Sequence, residues 1–139
     1  MVNISSVETP SISPELAKVR DRLYYEGFSK VYRDEGRPTV LMVDGARVSI
    51  KFASSSSKGQ WIANLHVHGK LTEKGIDAYL FVLRDVPGNS AHPLYVLMSA
   101  PLRRSGINFS VNSLLTTYSR HVSAFGDLKE IVKRKKRKG

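Results

Sequence analysis

The chain has 139 residues and a net charge of +10, and it is long enough for one hydrophobic core but not for two. Its hydrophobic fraction of 41% is ordinary for a globular domain, while the absence of cysteine excludes disulfides, thiolate nucleophiles and zinc–thiolate sites. The amino terminus lacks the features of a signal peptide, and no apolar run reaches the roughly 20 residues that span a bilayer. We therefore expect an intracellular, cytoplasmic protein with no membrane partner, or a nuclear one if the host is eukaryotic.

The amino-terminal part of the sequence predicts a loose segment, a helix and a short strand. Residues 1–12 are rich in Ser, Thr and Pro, which predicts a flexible lead-in. Ser13 is a good N-cap, Pro14 suits the first helical position, and apolar residues recur behind them at helical spacing. We therefore expect a helix over Pro14–Glu26. The alternation that follows predicts a short strand over Phe28–Arg33.

A β-hairpin is the clearest element of the sequence. Val40–Val43 and Arg47–Ala53 are rich in β-branched and apolar residues. The pair Asp44-Gly45 between them suits a type I′ turn, in which both central residues need a positive φ. Because side chains alternate along a strand, Ser49 and Lys51 are expected on one face of the sheet.

The rest of the body predicts further strands and then helices. One of its segments is an almost continuous apolar run, which is typical of a central strand covered on both faces. The order of elements predicts a single globular domain over residues 13–132, of the α+β class, with a mixed β-sheet flanked by helices. The expected elements are a strand over Trp61–His68, one helical turn over Leu71–Gly75, the central strand Asp77–Leu83, a strand over Pro93–Met98, a helical segment from Ser110 to Val122, and a short last helix from Asp127 to Val132.

The hairpin and the strands after it resemble the PD-(D/E)xK, or restriction-endonuclease-like, superfamily. That superfamily places an acidic residue on the first strand of such a hairpin and an acid-x-lysine on the second. The matching positions here are Thr39 and the triplet Ser49-Ile50-Lys51, so the lysine is kept and both acids are missing. The resemblance covers residues 13–98 and implies a restriction-endonuclease-like core. Neither Thr39 nor Ser49 supplies the negative charge that a Mg²⁺ site needs.

An active nuclease would need other acids around Lys51. In the resemblance, Glu15 lies where many members carry a helix-borne acid, and Asp44 is the only acid inside the hairpin. The catalytic candidates are therefore Glu15, Asp44 and Lys51, with Mg²⁺ as the cofactor. Simpler interpretations stay open, because the helix dipole favours an acid in the first turn and turn chemistry favours Asp at a hairpin tip. Without such activity we expect no cofactor and no metal site.

Basic residues cluster at the carboxyl terminus. Removing the six cations of residues 133–138 from the 22 lysines and arginines leaves 16 against 12 acidic residues, so the body has a net charge of only +4. Residues 133–139 are therefore expected to form a basic tail, a kind of segment that is usually disordered and neutralises phosphates or another anionic surface. A role in solubility or targeting is the alternative. The expected nucleic-acid-binding residues are Lys51, Lys58, Arg103, Arg104, Arg120, Lys133, Arg134, Lys135, Lys136, Arg137 and Lys138.

These features favour a small nucleic-acid-binding protein, with DNA as the favoured partner, on a nuclease-like fold with a degenerate active site. One alternative is an active Mg²⁺-dependent nuclease or a Holliday-junction-resolvase-like enzyme. A second is a protein-interaction module that binds an acidic partner. The sequence leaves a homodimer open and does not distinguish DNA from RNA.

Overall fold

The structure is a computed structural model, and it describes seven stretches of the chain. Of the expected flexible lead-in, only Ile12 is described, and it packs against the hydrophobic core. Three candidate nucleic-acid contacts, Lys58, Arg103 and Arg104, lie outside the described residues. The described stretches are 12–54, 60–64, 66–67, 70–71, 75–84, 92–100 and 106–138.

The first helix, α1 (Pro14–Tyr25), begins where the sequence predicts and ends one residue earlier. The Ser13 hydroxyl accepts a hydrogen bond from the backbone N–H of Leu16 at 3.2 Å, which satisfies one of the free donors at the start of the helix. Behind the helix, Gly27 has a φ of 103°, a left-handed conformation that glycine adopts without steric cost. The capping residues therefore set both ends of α1.

Five of the nine described strands form one mixed sheet. The strands are β1 (Val31–Arg33), β2 (Val40–Val43), β3 (Ala46–Ser54), β4 (Gln60–Asn64), β5 (His66–Val67), β6 (Lys70–Leu71), β7 (Ala78–Arg84), β8 (Leu94–Ser99) and β9 (Gly106–Ser110). The main sheet has the order β1-β2-β3-β7-β8, and β3 and β7 are its only parallel neighbours. Two smaller antiparallel sheets pair β4 with β9 and β5 with β6.

The predicted hairpin is confirmed as β2 and β3. Asp44 and Gly45 have φ values of 48° and 94°, the positive angles that a type I′ turn requires. The predicted alternation along β3 is confirmed as well, because Ile50 belongs to one core cluster and Ala53 to the other. The face that contains Ala53 also contains Lys51 and Ser49, two and four residues earlier on the strand.

Both faces of the main sheet are covered. One face packs against α1 and against the last helix, α3 (Phe125–Lys138), through residues such as Leu23 and Leu128. The other face packs against β9 and the short helix α2 (Val111–Leu115). Phe81 of β7 meets Phe109 of β9 edge to face, with 5.2 Å between the ring centroids. The predicted α+β class, with a mixed sheet flanked by helices, is confirmed. Within the described residues, no helix combines the length and the apolar character needed to cross a membrane.

Several local predictions differ from the structure. Lys70–Leu71 is a strand, where one helical turn was expected to begin. The helical segment after Ser110 ends at Leu115, and a 3₁₀ turn over Ser119–His121 follows it. Gly106–Ser110 was not predicted as a strand, since only Ile107 and Phe109 in it are apolar. Its partner β4 lies more than forty residues earlier in the chain, so that local sequence carries no sign of the pairing.

The largest difference concerns the carboxyl terminus, where α3 continues through Lys138. Residues 133–138 therefore belong to a folded helix, and the expectation that this block is disordered is wrong. The helix begins at Phe125, and its apolar residues Leu128 and Val132 are buried against the core. Burial of that side stabilises the helix, and the negative end of the helix dipole favours cations in the last turn by about 0.3–1 kcal/mol each.

Candidate nucleic-acid interface

The position that the superfamily resemblance assigns to an acid on β3 is occupied by a buried serine. Ser49 is fully buried, and its hydroxyl oxygen has no hydrogen-bond partner among the described residues. The residue opposite Ser49 on β2 is Val40, which is also buried, whereas Thr39 lies just before the strand and is exposed. Thr39, the position that the resemblance assigns to the first acid, therefore lies outside β2. No residue of this group carries a negative charge.

Lys51 lies two residues beyond Ser49 on the same face of the sheet and is half-buried. Its neighbour on the parallel strand is Phe81, which packs under β9. Lys51 also has an interaction partner within the protein. The lysine therefore lies beside an apolar layer of the described structure.

Glu15 is positioned by the first turn of α1 and forms an ion pair with Arg84 at the end of β7. The guanidinium of Arg84 also lies over the ring of Phe52, 5.5 Å from its centroid. Helix α1 covers the face of the sheet opposite to that of Lys51. The structure therefore places Glu15 and Lys51 on different sides of the sheet, and the Glu15 carboxylate already has a cationic partner.

Asp44 occupies the tip of the hairpin and holds the neighbouring loop. Its carboxylate accepts hydrogen bonds from the backbone N–H groups of Ser29, at 3.0 Å, and of Lys30, at 2.7 Å. Lys51 is seven residues further along the chain, which corresponds to roughly 20 Å of extended strand. Asp44 therefore has a structural role at one end of β3, and the two side chains do not share a site.

The described residues around Lys51 do not fit a Mg²⁺ site. Mg²⁺ takes hard oxygen ligands, in proteins chiefly carboxylates and water. On this face Lys51 lies between Ser49 and Ala53 of its own strand, and its partner on the parallel strand is Phe81. Among the residues with defined positions, no group of three His, Cys, Asp or Glu side chains lies close enough together to hold an ion. The three catalytic candidates are thus not brought together.

The basic residues of α3 form the main charged surface of the described structure. The helix carries seven of the 22 basic residues and two of the 12 acidic ones, a net charge of +5 in 14 residues. Its inner side is buried in the core through Phe125, Leu128 and Val132. Among the side chains that the structure describes on this helix, the exposed cations are Lys129, Lys133, Arg134 and Lys136, and we call these four residues the basic side of α3.

Lys135 is not part of this exposed side. It follows Leu128 by seven residues and Ile131 by four, so it continues the buried stripe of the helix. Its ammonium group donates a hydrogen bond to Asp77 Oδ2 at 2.6 Å. Asp77 Oδ2 also accepts the backbone N–H of Arg47 at 2.8 Å. Lys135 therefore attaches the basic segment to the point where β3 and β7 begin to pair.

Two other cations of α3 make contacts at the surface. Lys129 lies over the ring of Phe28, with 5.7 Å from its ammonium to the ring centroid. Lys133 lies 3.5 Å from Glu130, and both side chains are more than half exposed. Exposed pairs of this kind contribute less than about 1 kcal/mol, so neither contact prevents the lysine from meeting an anion.

The remaining candidate contacts are spread over the molecule. Arg120 is exposed on the 3₁₀ turn at Ser119–His121. Arg137 and Lys138 lie in the last turn of α3. Sequence reasoning missed the role of Asp77 and the inclusion of Lys129 in the basic surface. The helical spacing of Leu128, Ile131 and Lys135 is the sequence signal that a longer last helix would have explained.

Comparison of the chain with protein-family models, with curated proteins and with solved structures found no match. The resemblance to the restriction-endonuclease-like superfamily therefore stays a prediction from the sequence.

Proposed function

We propose that this protein binds nucleic acid, with DNA as its partner, through the basic side of α3, and that it binds without cleaving. The observation that carries the proposal is the placement of the positive charge. Half of the net charge of +10 lies on α3, and four of its cations are exposed on a helix that is packed against the body by its other side. A fixed row of cations attracts a polyanion strongly because each neutralised phosphate releases condensed counterions.

The geometry of the hairpin supports the non-catalytic part of the proposal. Cleavage that depends on Mg²⁺ requires carboxylates that hold the ion beside the scissile phosphate. The described strand neighbours of Lys51, which are Ser49, Ala53 and Phe81, are uncharged, while the carboxylates of Glu15 and Asp44 have partners elsewhere. The basic surface can still bind phosphates, because that contact needs only charge and exposure.

The proposal is tested by measuring the binding of purified protein to a fluorescent DNA fragment at low salt. The test variant combines Lys133→Gln, Arg134→Gln and Lys136→Gln, and we expect it to bind at least tenfold more weakly, since three phosphate contacts are lost. The matched control combines Lys18→Gln, Arg20→Gln and Lys30→Gln, which removes the same charge from residues outside α3. This control should keep most of the affinity.

Two outcomes would contradict the proposal. One is a wild-type protein that does not bind DNA at low salt. The other is a wild-type protein that binds polyglutamate as tightly as DNA, because an acidic polypeptide would then be the better partner. Equal losses in the test variant and in the control would show that only the net charge matters and that α3 is not the interface.

A further inference from the structure

We infer that the basic side of α3 binds the DNA as a preformed helix in the major groove of a duplex, and that Asp77 positions this helix through Lys135. The inference rests on the proposed function and specifies its partner. It also assigns a role to an acidic residue in a protein that binds an anion, where net charge alone would predict that every acid weakens binding.

Asp77 is held in place by hydrogen bonds within the sheet, independently of its contact with α3. Its backbone N–H donates to the carbonyl of Arg47 at 2.8 Å, and its carboxylate accepts the N–H of the same residue at 2.8 Å. These two bonds hold the side chain at the start of the parallel pair of β3 and β7. The remaining contact of Asp77 Oδ2 is with Lys135, 2.6 Å away. A rigid part of the sheet thus holds one residue in the middle of the basic segment.

This contact determines which side of α3 faces solvent. Among the described side chains of α3, apolar burial ends at Val132, and those of residues 133–136 are not part of the apolar core. The pair between Lys135 and Asp77 extends the attached side of the helix by almost one further turn. Arg134 and Lys136 then lie about 100° to either side of Lys135 around the helix, and both are exposed. The attachment keeps the basic side of α3 in one orientation and counteracts the repulsion among its like charges.

A duplex fits this surface better than a single strand. Single-stranded nucleic acid is generally gripped by aromatic side chains on which bases stack, placed along a basic groove. With the exception of Gly126, the residues of α3 that are known to be exposed are all charged, so the helix offers no ring for stacking. A helix with its side chains is about 10–12 Å wide, and the major groove of B-form DNA is about 12 Å wide. Duplex RNA has a deep and narrow major groove that does not admit such a helix.

The decisive variant is Asp77→Asn, which keeps an acceptor oxygen for Arg47 and removes the charge that holds Lys135. It raises the net charge by one, so simple electrostatic attraction predicts tighter binding to DNA. If Asp77 positions the helix, the variant should instead bind the duplex about three- to fivefold more weakly. This is the largest effect that an ion pair of this exposure supplies. Affinity for single-stranded DNA of the same length should change less. Duplex affinity equal to or higher than that of the wild type would overturn the inference.

Lys135→Gln provides a second test that does not depend on the folding of the Asp77 variant. Because Lys135 faces Asp77 and not the phosphates, its loss should leave the slope of log K against log salt nearly unchanged. Lys136→Gln, the matched control at the next position, should reduce the magnitude of that slope by about 0.9. The double variant Asp77→Asn with Lys135→Gln should bind no worse than either single variant, since both remove the same pair. A Lys135→Gln slope that falls as much as that of the control would overturn the inference.

The partner class is tested by wild-type affinities for duplex DNA, duplex RNA and single-stranded DNA of equal length. The inference predicts the highest affinity for duplex DNA. Duplex RNA and single-stranded DNA should each bind at least several-fold more weakly. If the wild type binds DNA with no preference for the duplex, the inference fails and the proposed function stands. If it does not bind nucleic acid at all, the proposed function itself fails.

Discussion

Val40 on β2 lies directly opposite Ser49 on β3, and both side chains are buried. The superfamily resemblance assigns its two acids to Thr39 and Ser49, and a site that holds a dication would need their negative charge. Neither Ser49 nor its partner Val40 supplies such a charge.

The first prediction is that the purified protein does not nick supercoiled plasmid DNA with Mg²⁺ or Mn²⁺. The control is Glu15→Ala, which breaks an exposed ion pair with Arg84 and should leave DNA affinity unchanged or slightly improved. Gel electrophoresis of plasmid after incubation with each protein measures the activity. Metal-dependent nicking by the wild type that is lost in Glu15→Ala would show that the acid acts in catalysis after all.

The second prediction concerns the structural role of Asp44. Replacing it by alanine leaves the backbone N–H groups of Ser29 and Lys30 without their acceptor and puts a Cβ-bearing residue without side-chain hydrogen bonds at a φ of 48°. We expect the free energy of unfolding to fall by about 1–3 kcal/mol in Asp44→Ala. The free energy of unfolding should fall less in Asp44→Asn, because asparagine keeps one acceptor oxygen and tolerates a left-handed φ. Denaturant unfolding measures both. Unchanged stability in the alanine variant would refute the assignment.

The third prediction is a loss of stability at high pH that originates at Tyr95. Burial raises the pKa of the Tyr95 hydroxyl, an effect that the nearby Arg22 partly opposes. The folded protein therefore holds this proton more tightly than the unfolded chain. The resulting stabilisation is complete below the unfolded pKa of about 10 and is lost as the pH rises through the folded value.

The measurement is the free energy of unfolding at about pH 9 and at about pH 11, in the wild type and in Tyr95→Phe. The wild type should lose more stability between the two values than the phenylalanine variant does. Lysine deprotonation affects both proteins alike and cancels in the difference. Equal losses in both proteins would mean that Tyr95 ionises as freely when folded as when unfolded.

The elements that the sequence predicts well are those with local chemical causes. The N-cap Ser13 and the proline behind it mark the start of α1, and the Asp44-Gly45 pair marks the hairpin turn. The continuous apolar run marks β7, which lies in the interior of the main sheet and is buried on both faces. In each case, a few adjacent residues determine the backbone conformation.

The features that the sequence does not reveal depend on contacts between distant residues. β9 forms only by pairing with β4, and its own residues have a weak strand pattern. The helical basic segment contacts the body through Lys135 and Asp77, which are 58 residues apart. A block of like charges suggests disorder when it is considered alone. The helix is stabilised by burial of one side in the core and by the helix dipole, and both contributions need the rest of the folded helix. The sequence therefore predicted the positive charge of this segment but not its helical structure.

The most direct test of the account is the salt dependence of duplex DNA binding. The wild type and the variant that combines Lys133→Gln, Arg134→Gln and Lys136→Gln are compared by the slope of log K against log salt. Three lost phosphate contacts should reduce the magnitude of the slope by about 2.7, while the control with Lys18→Gln, Arg20→Gln and Lys30→Gln should stay close to the wild type. A slope that is the same in the wild type and in the α3 variant would contradict the claim that the basic side of α3 binds DNA.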